Sequence, residues 1–187
     1  MIGVLAIQGD FEAHVRVLEG LGAEARTVRA PADLEGIDGL VIPGGESTTM
    51  TLGVERDGLA EPLRQLVRDG TPVLGTCAGL ILLDRSHLDL LDVQAQRNAF
   101  GRQVKSFELD LDLPALGGAL HAVFIRAPWV TEHGEGVEVL AEVEGHPVAV
   151  RQGEILAVAF HTEIGDETRL HEWLLERAEA TNGGRTE

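Results

Sequence analysis

Three short apolar runs constrain this chain more than any other feature: Ile2-Gly3-Val4-Leu5-Ala6-Ile7, Gly39-Leu40-Val41-Ile42 and Pro72-Val73-Leu74-Gly75. None alternates apolar with polar residues, as a strand with one wet face does. Each is continuous, the pattern of a strand buried on both sides. Between them lie stretches with helical spacing. Phe11, Val15 and Leu18 follow the first run, with Asp10 as N-cap and Gly22 as C-cap, and Leu59, Leu63, Leu66 and Val67 lead to a stop at Gly70. Residues 24–29 supply another strand, and Ala78 to about Leu83 opens a helix directly after the Pro72 run. Buried strands alternating with helices require a mostly parallel central sheet covered on both faces, a three-layer α/β architecture.

Beyond Leu88 the pattern changes. Residues 104–111, 121–125, 137–143, 147–150 and 155–160 are strand-like with few helical signals between them, so additional antiparallel strands are expected at one side of the sheet. Leu170, Trp173, Leu174 and Ala178 share one face of a last helix, and about 180–187 reads as a frayed tail. With no internal repeat and no linker, the 187 residues are expected to form a single domain. A domain of this size buries about 70% of its unfolded surface and needs no disulfide or metal staple.

Composition excludes several classes of function. The 31 acidic against 15 basic residues give a formal charge of −16, which argues against nucleic acid and anionic membranes as partners. Most such charge serves solubility, although part of it can face a basic partner protein. The single cysteine, the absence of a basic leader before the short first apolar run, and the lack of any span-length apolar stretch point to a cytoplasmic protein.

That cysteine, Cys77, stands in Gly75-Thr76-Cys77-Ala78-Gly79, where a strand gives way to a helix. Ligands of open α/β sheets bind at the carboxyl ends of the strands, where this junction falls. A nucleophile on such an elbow needs small residues two places before and after it, and Gly75 and Gly79 meet the need. The helix N-terminus beneath favours the thiolate. A lone cysteine is ordinarily just a buried small hydrophobe, so catalysis requires a base as well.

Of the seven histidines, His133 and His146 fall in polar turns, and His87 and His171 in surface positions. His161 differs, because the run at 155–160 leads straight into it and Glu163 follows. On extended backbone the two side chains point the same way, with Cα atoms roughly 6.5 Å apart. Glu163 can then accept from one ring nitrogen while the other faces a thiol, which is triad logic; a histidine merely closing a strand fits the same stretch. Pro43-Gly44-Gly45-Glu46-Ser47-Thr48-Thr49 follows the second apolar run and so belongs at the same sheet edge. Its glycines let backbone N–H groups face an oxyanion, with Ala78 N–H as the second donor; the alternative is a turn in which Ser47 or Thr48 caps a helix. It lacks the lysine and spacing of a phosphate loop.

With these stretches placed, the sequence resembles the class I, triad-type glutamine amidotransferases, and within them the glutaminase subunits of pyridoxal 5′-phosphate synthase. GTCAGLI matches the nucleophile elbow, PGGEST the oxyanion and glutamine loop, and AFHTE the His-Glu pair. GVLAIQG at the start, QRNAFGRQ at 96–103 and FIRAP at 124–128 complete a likeness running from about residue 2 to 175. The resemblance implies hydrolysis of L-glutamine to glutamate and ammonia, with Cys77 as nucleophile, His161 as base and Glu163 orienting it. It implies glutamine contacts from Gly45, Glu46, Ser47, Arg97, Ile125 and Arg126, an oxyanion hole at Gly45 and Ala78, and no metal or cofactor of the chain's own. The implied partner is a (β/α)₈-barrel synthase subunit in a hetero-oligomer, which takes up the ammonia and leaves the glutaminase nearly idle until docked. An arginine as carboxylate clamp suits the bidentate chemistry of guanidinium, although a surface ion pair is the ordinary fate of each.

Two departures stand out. The family generally carries proline where this chain has Thr162; threonine also favours extended backbone, so the pair is expected to keep its geometry more loosely. The stretch from Leu83 to Gln96 is also several residues shorter than the resemblance implies, trimming a loop near the partner. Alternatives within reach of the sequence are the glutaminase of another biosynthetic complex, a cysteine hydrolase or peptidase on a similar scaffold, and a binding subunit without turnover. RNAFGRQ and FIRAP weigh against the first, the paired arginines against the second, and an intact Cys77, His161 and Glu163 against the third.

Overall fold

A computed structural model of the protein describes residues 1–101 and 106–183. Arg102 and Gln103 of the QRNAFGRQ segment, the start of the strand expected at 104–111, and residues 184–187 of the tail lie outside the described residues.

The first half of the chain runs β1 (Ile2–Leu5), α1 (Phe11–Gly20), β2 (Ala25–Val28), β3 (Gly39–Ile42), α2 (Ser47–Arg56), α3 (Ala60–Arg68), β4 (Val73–Thr76) and α4 (Ala78–Leu83). The second half runs β5 (Val93–Gln96), β6 (Ser106–Leu113), β7 (Gly118–Ile125), β8 (Trp129–His133), β9 (Glu138–Val143), β10 (His146–Gln152), β11 (Ile155–Val158) and α5 (Arg169–Gly183). Seven strands form one sheet in the order β2-β1-β3-β4-β11-β10-β9. The first five are parallel, and β10 and β9 extend the sheet antiparallel at one edge.

Burial follows the apolar runs. Every residue of β1, β3, β4 and β11 is buried, as central strands covered on both faces must be, whereas β2 at the edge leaves Arg26 and Thr27 in solvent. Leu170, Trp173, Leu174 and Ala178 of α5 are buried together, as their spacing predicts.

Two small sheets lie outside the main one: β5 pairs with β8, and β6 with β7 along eight residues. An aromatic cluster fixes the β6–β7 hairpin. Phe107 stacks on Phe124 at 4.5 Å between ring centroids, and Phe124 meets Phe160, just after β11, at 5.4 Å. Both Phe124 and Phe160 are fully buried, which stabilises the contact by about 2 kcal/mol or more per ring. A two-way backbone bridge between Val123 and His161 adds direction to this anchor.

Some expectations need correction. A full helix, α2, occupies Ser47–Arg56, and its N-cap is Glu46 rather than Ser47 or Thr48. The strands β5 and β8 carry no sequence signal that periodicity detects. His171 is not a surface residue: it is wholly buried on α5. His133 closes β8 and His146 opens β10, where its ring stacks on Trp129 at 3.7 Å instead of lying in a polar turn.

The register explains why distant residues meet. Ile42 of β3 lies beside Gly75 of β4, and Thr76 beside Val158 of β11. All three strands run the same way, so the residues after them emerge at one sheet edge: Gly44 and Gly45, then Cys77, then His161.

Candidate active site

Cys77 is held with φ 48° and ψ −104°, a backbone conformation that L-residues with a side chain rarely adopt. The strain is fixed from both sides, since Cys77 N–H donates to Val158 O at 2.8 Å and Leu80 N–H to Cys77 O at 3.1 Å. The glycines of the elbow are required by space. A Cβ on Gly79 would sit 2.1 Å from the Ile42 carbonyl oxygen, and one on Gly75 2.7 Å from Leu83 Cδ1. The thiol is nearly enclosed, 7% exposed, with Sγ 3.9 Å from Ile125 O.

His161 reaches this thiol from the end of β11. Its backbone is locked to β7 by Val123, and its ring lies against Gly44, where a Cβ would meet Cε1 at 2.3 Å. The ring therefore occupies the space that a side chain at Gly44 would take. Nδ1 of His161 is 2.6 Å from Glu163 Oε1, which directs Nε2 away from the carboxylate. Burial alone would lower the His161 pKa, but hydrogen bonding to Cys77 and then to Glu163 outweighs it and raises the value to about 10. Burial would likewise raise Glu163, yet hydrogen bonds from His14 and His161 hold its carboxyl well below the usual carboxylate range. An imidazolium at His161 held against a carboxylate at Glu163 is the protonation state this geometry favours.

Thr162 takes part in an unforeseen way. Its backbone N–H donates to Glu163 Oε2 at 2.9 Å, a bond that a proline in its place could not make. The threonine thus gives the carboxylate a second anchor, contrary to the looser pair expected from sequence. Its hydroxyl, by contrast, is buried without a partner among the described residues.

One open cleft brings the remaining candidates together. Gly45, Glu46 and Ser47 line it from one loop, Arg97, Ile125 and Arg126 from two others, and Cys77 and Ala78 from the elbow. Ile81, Asn98 and Pro128 also line it, and each belongs to a segment that sequence reasoning marked: GTCAGLI, QRNAFGRQ and FIRAP. Two of the lining residues besides Cys77, Asn98 (φ 46°) and Arg126 (φ 45°), carry positive φ without being glycine. Strained backbone concentrated around one cleft is a mark of a functional site.

Charge in the cleft is already partly arranged. Glu46 accepts from Thr49 N–H at 2.7 Å, from Thr49 Oγ1 at 2.8 Å and from Thr48 N–H at 3.2 Å. These bonds, with the Arg97 charge as a lesser cause, lower its carboxyl to about 2. Arg97 spans Glu46 Oε1 and Thr48 Oγ1, each at 2.7 Å. Arg126 also lines the cleft and makes no ion pair among the described residues. Gln8, from the loop after β1, accepts from Glu46 N–H at 2.5 Å and so holds the glycine loop against the first strand. Sequence reasoning missed Gln8 in that role, and missed His14 and His171, which lie buried behind Glu163. Among the described residues no cluster of His, Cys, Asp and Glu is placed to hold a metal ion, and no helix is long and apolar enough to cross a membrane.

Comparisons with known proteins point to one family. Residues 4–180 match the model of the SNO glutamine amidotransferase family. The chain is 52% identical over 189 residues to the pyridoxal 5′-phosphate synthase subunit PdxT of Mycobacteroides abscessus, covering 96% of this chain and 98% of that one. It is 50% identical over 181 residues to the PdxT subunit of Geobacillus kaustophilus, covering 93% and 92%. A crystal structure described as a glutamine amidotransferase superposes with a TM-score of 0.89 at 46% identity, covering 95% of this chain and 98% of the other.

Proposed function

The chain belongs to the SNO glutamine amidotransferase family, and from that premise we propose how its residues carry out the family's chemistry. The protein is a glutaminase subunit of pyridoxal 5′-phosphate synthase, releasing ammonia from L-glutamine for a synthase subunit. The observation that carries the mechanism is the strained Cys77 elbow beside a buried His161 that Glu163 grips at 2.6 Å.

Glutamine enters the cleft with its α-carboxylate on Arg126, whose guanidinium has no ion pair among the described residues, while Arg97 rigidifies the loop through Glu46 and Thr48. Gly45, Glu46, Ser47 and Ile125 border the rest of the substrate. Cys77 Sγ attacks the side-chain amide carbon as a thiolate. Negative charge on the amide oxygen is met by N–H groups of Gly45 and Ala78. His161, as imidazolium, gives its proton to the departing nitrogen; the C–N bond breaks, ammonia leaves and a thioester remains on Cys77. His161, now neutral, takes a proton from water, the hydroxide equivalent attacks the thioester, and glutamate departs. Glu163 holds the ring tautomer throughout.

The whole chain serves as one amidotransferase domain in the cytoplasm, and its partner is a barrel-type synthase subunit. What supports docking as the activating event is that Glu46 and Arg97, both bordering the substrate, are tied to each other at 2.7 Å. The test is glutamate release from L-glutamine with the cognate synthase added and omitted, and Cys77→Ser as blank. Release that rises with the synthase and vanishes in the blank supports the proposal. Release indifferent to the synthase removes the partner, and release from Cys77→Ser equal to wild type removes the nucleophile.

A further inference from the structure

Glu163 is attended by a second histidine that the mechanism above does not use. His14, from α1, is wholly buried and brings Nε2 to 3.4 Å from Glu163 Oε1 and 3.3 Å from Thr76 Oγ1, next to Cys77 in sequence. Its Nδ1 lies 2.8 Å from Nε2 of His171 on α5, also wholly buried. Burying two imidazoles is costly unless their polar atoms are partnered, so a fold retains them where they act on something.

The proton positions follow from elimination. A neutral imidazole has one N–H and one lone pair. Donation from His14 Nδ1 would leave His171 with an N–H at Nδ1, and that atom is buried with no partner among the described residues. It would also turn the His14 Nε2 lone pair toward a carboxylate oxygen. The reverse assignment has neither fault. His171 Nε2–H donates to His14 Nδ1, His14 Nε2–H points at Glu163 Oε1 and Thr76 Oγ1, and only a lone pair is left idle. Every proton of the chain is then directed toward Glu163.

We infer that His14 is a positioning residue of the glutaminase: it holds Glu163 charged and aimed at His161, and His171 fixes the tautomer in which His14 can do so. The inference rests on the glutaminase reading and extends the line Cys77, His161, Glu163 into the core by two residues. Burial lowers the His171 pKa to about 3, so it stays neutral as the donor role requires. The titratable groups facing Glu163 are His161 from the end of β11 and His14 from α1; those facing His14 are Glu163 and His171 from α5.

Two readouts separate positioning from plain packing. Alkylation of Cys77 by iodoacetamide, followed against pH, reports the thiolate without glutamine; glutamate release by the complex with its synthase reports turnover. For His14→Phe, which keeps bulk and loses the donor, kcat falls about tenfold with KM unchanged, and the alkylation profile moves to higher pH. His14→Gln keeps an amide N–H near the place of Nε2 and recovers most of both. His171→Leu gives a smaller shift in the same direction, and it decides the matter if thermal melting shows that His14→Phe does not fold. A variant profile and kcat that superimpose on wild type overturn the inference, as does a His14→Gln variant no better than His14→Phe. An alkylation shift in a wild-type background that releases no glutamate would uphold the positioning role and overturn the glutaminase reading instead.

Discussion

Thr162 offers a test in which stability and catalysis part company. Two of its groups do opposite things: the N–H bonds Glu163 Oε2 at 2.9 Å, and the hydroxyl is buried without a partner among the described residues. Thr162→Val removes only the hydroxyl and keeps the β-branched shape. Relieving a buried unsatisfied hydroxyl stabilises by about 1 kcal/mol, which in a domain of this size raises Tm by about 2–4 °C. Turnover in the synthase complex stays unchanged, because the Glu163 anchor is intact. Thr162→Pro removes the N–H too. Losing a hydrogen bond to a charged, buried group costs about 1.5–3 kcal/mol, and this is offset in part by about 1 kcal/mol from the deleted hydroxyl and ~0.5 kcal/mol from the stiffer unfolded chain. The net stability change is therefore within about 1.5 kcal/mol, whereas kcat falls about tenfold as Glu163 loses one of its anchors. Thermal melting of each variant beside glutamate release in the complex measures both effects. A valine variant that melts below wild type, or a proline variant that turns over faster, would refute the reasoning.

Other parts of the account are open to equally specific checks. Gly79→Ala must push a Cβ away from the Ile42 carbonyl, 2.1 Å distant, and is expected to cost about 3 kcal/mol in urea unfolding and to abolish turnover. Arg126→Ala removes a cleft guanidinium that makes no ion pair among the described residues, so KM for glutamine rises about tenfold or more while kcat changes less. Stability should fall on both sides of neutrality for different reasons. His161 is raised to about 10 in the fold against burial, chiefly through Cys77 and Glu163, so its contribution is complete below about pH 6.5 and fades as pH climbs toward 10. His171 is lowered to about 3, first by burial, so stability drains as pH falls from about 6.5 toward that value. Melting curves of Cys77→Ala should flatten the alkaline decline, and those of His171→Leu the acid one.

The central strands and the elbow were legible because local pattern and tertiary placement agree there. Gly39–Ile42 is apolar throughout because β1 and β4 flank it and helices cover both faces, and the strand has the predicted bounds. The elbow glycines announce their neighbours' proximity directly. The helix α2 was not legible as a helix. Ser47-Thr48-Thr49-Met50-Thr51 is poor in helix formers, and the cap that starts it is the Glu46 carboxylate, held in turn by Arg97 from fifty-one residues away. The pair β5 and β8 is short and edge-like, with no clean alternation to read.

The histidines behind the site show a finer limit. His14 falls on the stripe of Phe11, Val15 and Leu18, and His171 on that of Leu174 and Ala178, so a polar residue on each buried face was a signal present in the sequence. What one sequence does not carry is that α1 and α5, 157 residues apart at these positions, bring the two rings within 2.8 Å of each other behind one carboxylate. The same holds for Thr162. Its type was read as a weaker proline, but its function comes from a backbone N–H, which side-chain identity does not reveal except where the residue is proline.

The central claim is that Cys77 carries a glutamyl thioester during turnover, with the elbow, His161 and Glu163 arranged to form and discharge it. The direct measurement is mass spectrometry of the peptide bearing Cys77 after rapid acid quench of the synthase complex turning over L-glutamine. The account predicts a glutamyl adduct on Cys77 that accumulates early, is lost on alkaline treatment, and is absent from Cys77→Ala. Steady glutamate release with no adduct on Cys77 at any quench time, or an unmodified Cys77→Ala chain that still releases glutamate at the wild-type rate, would contradict it.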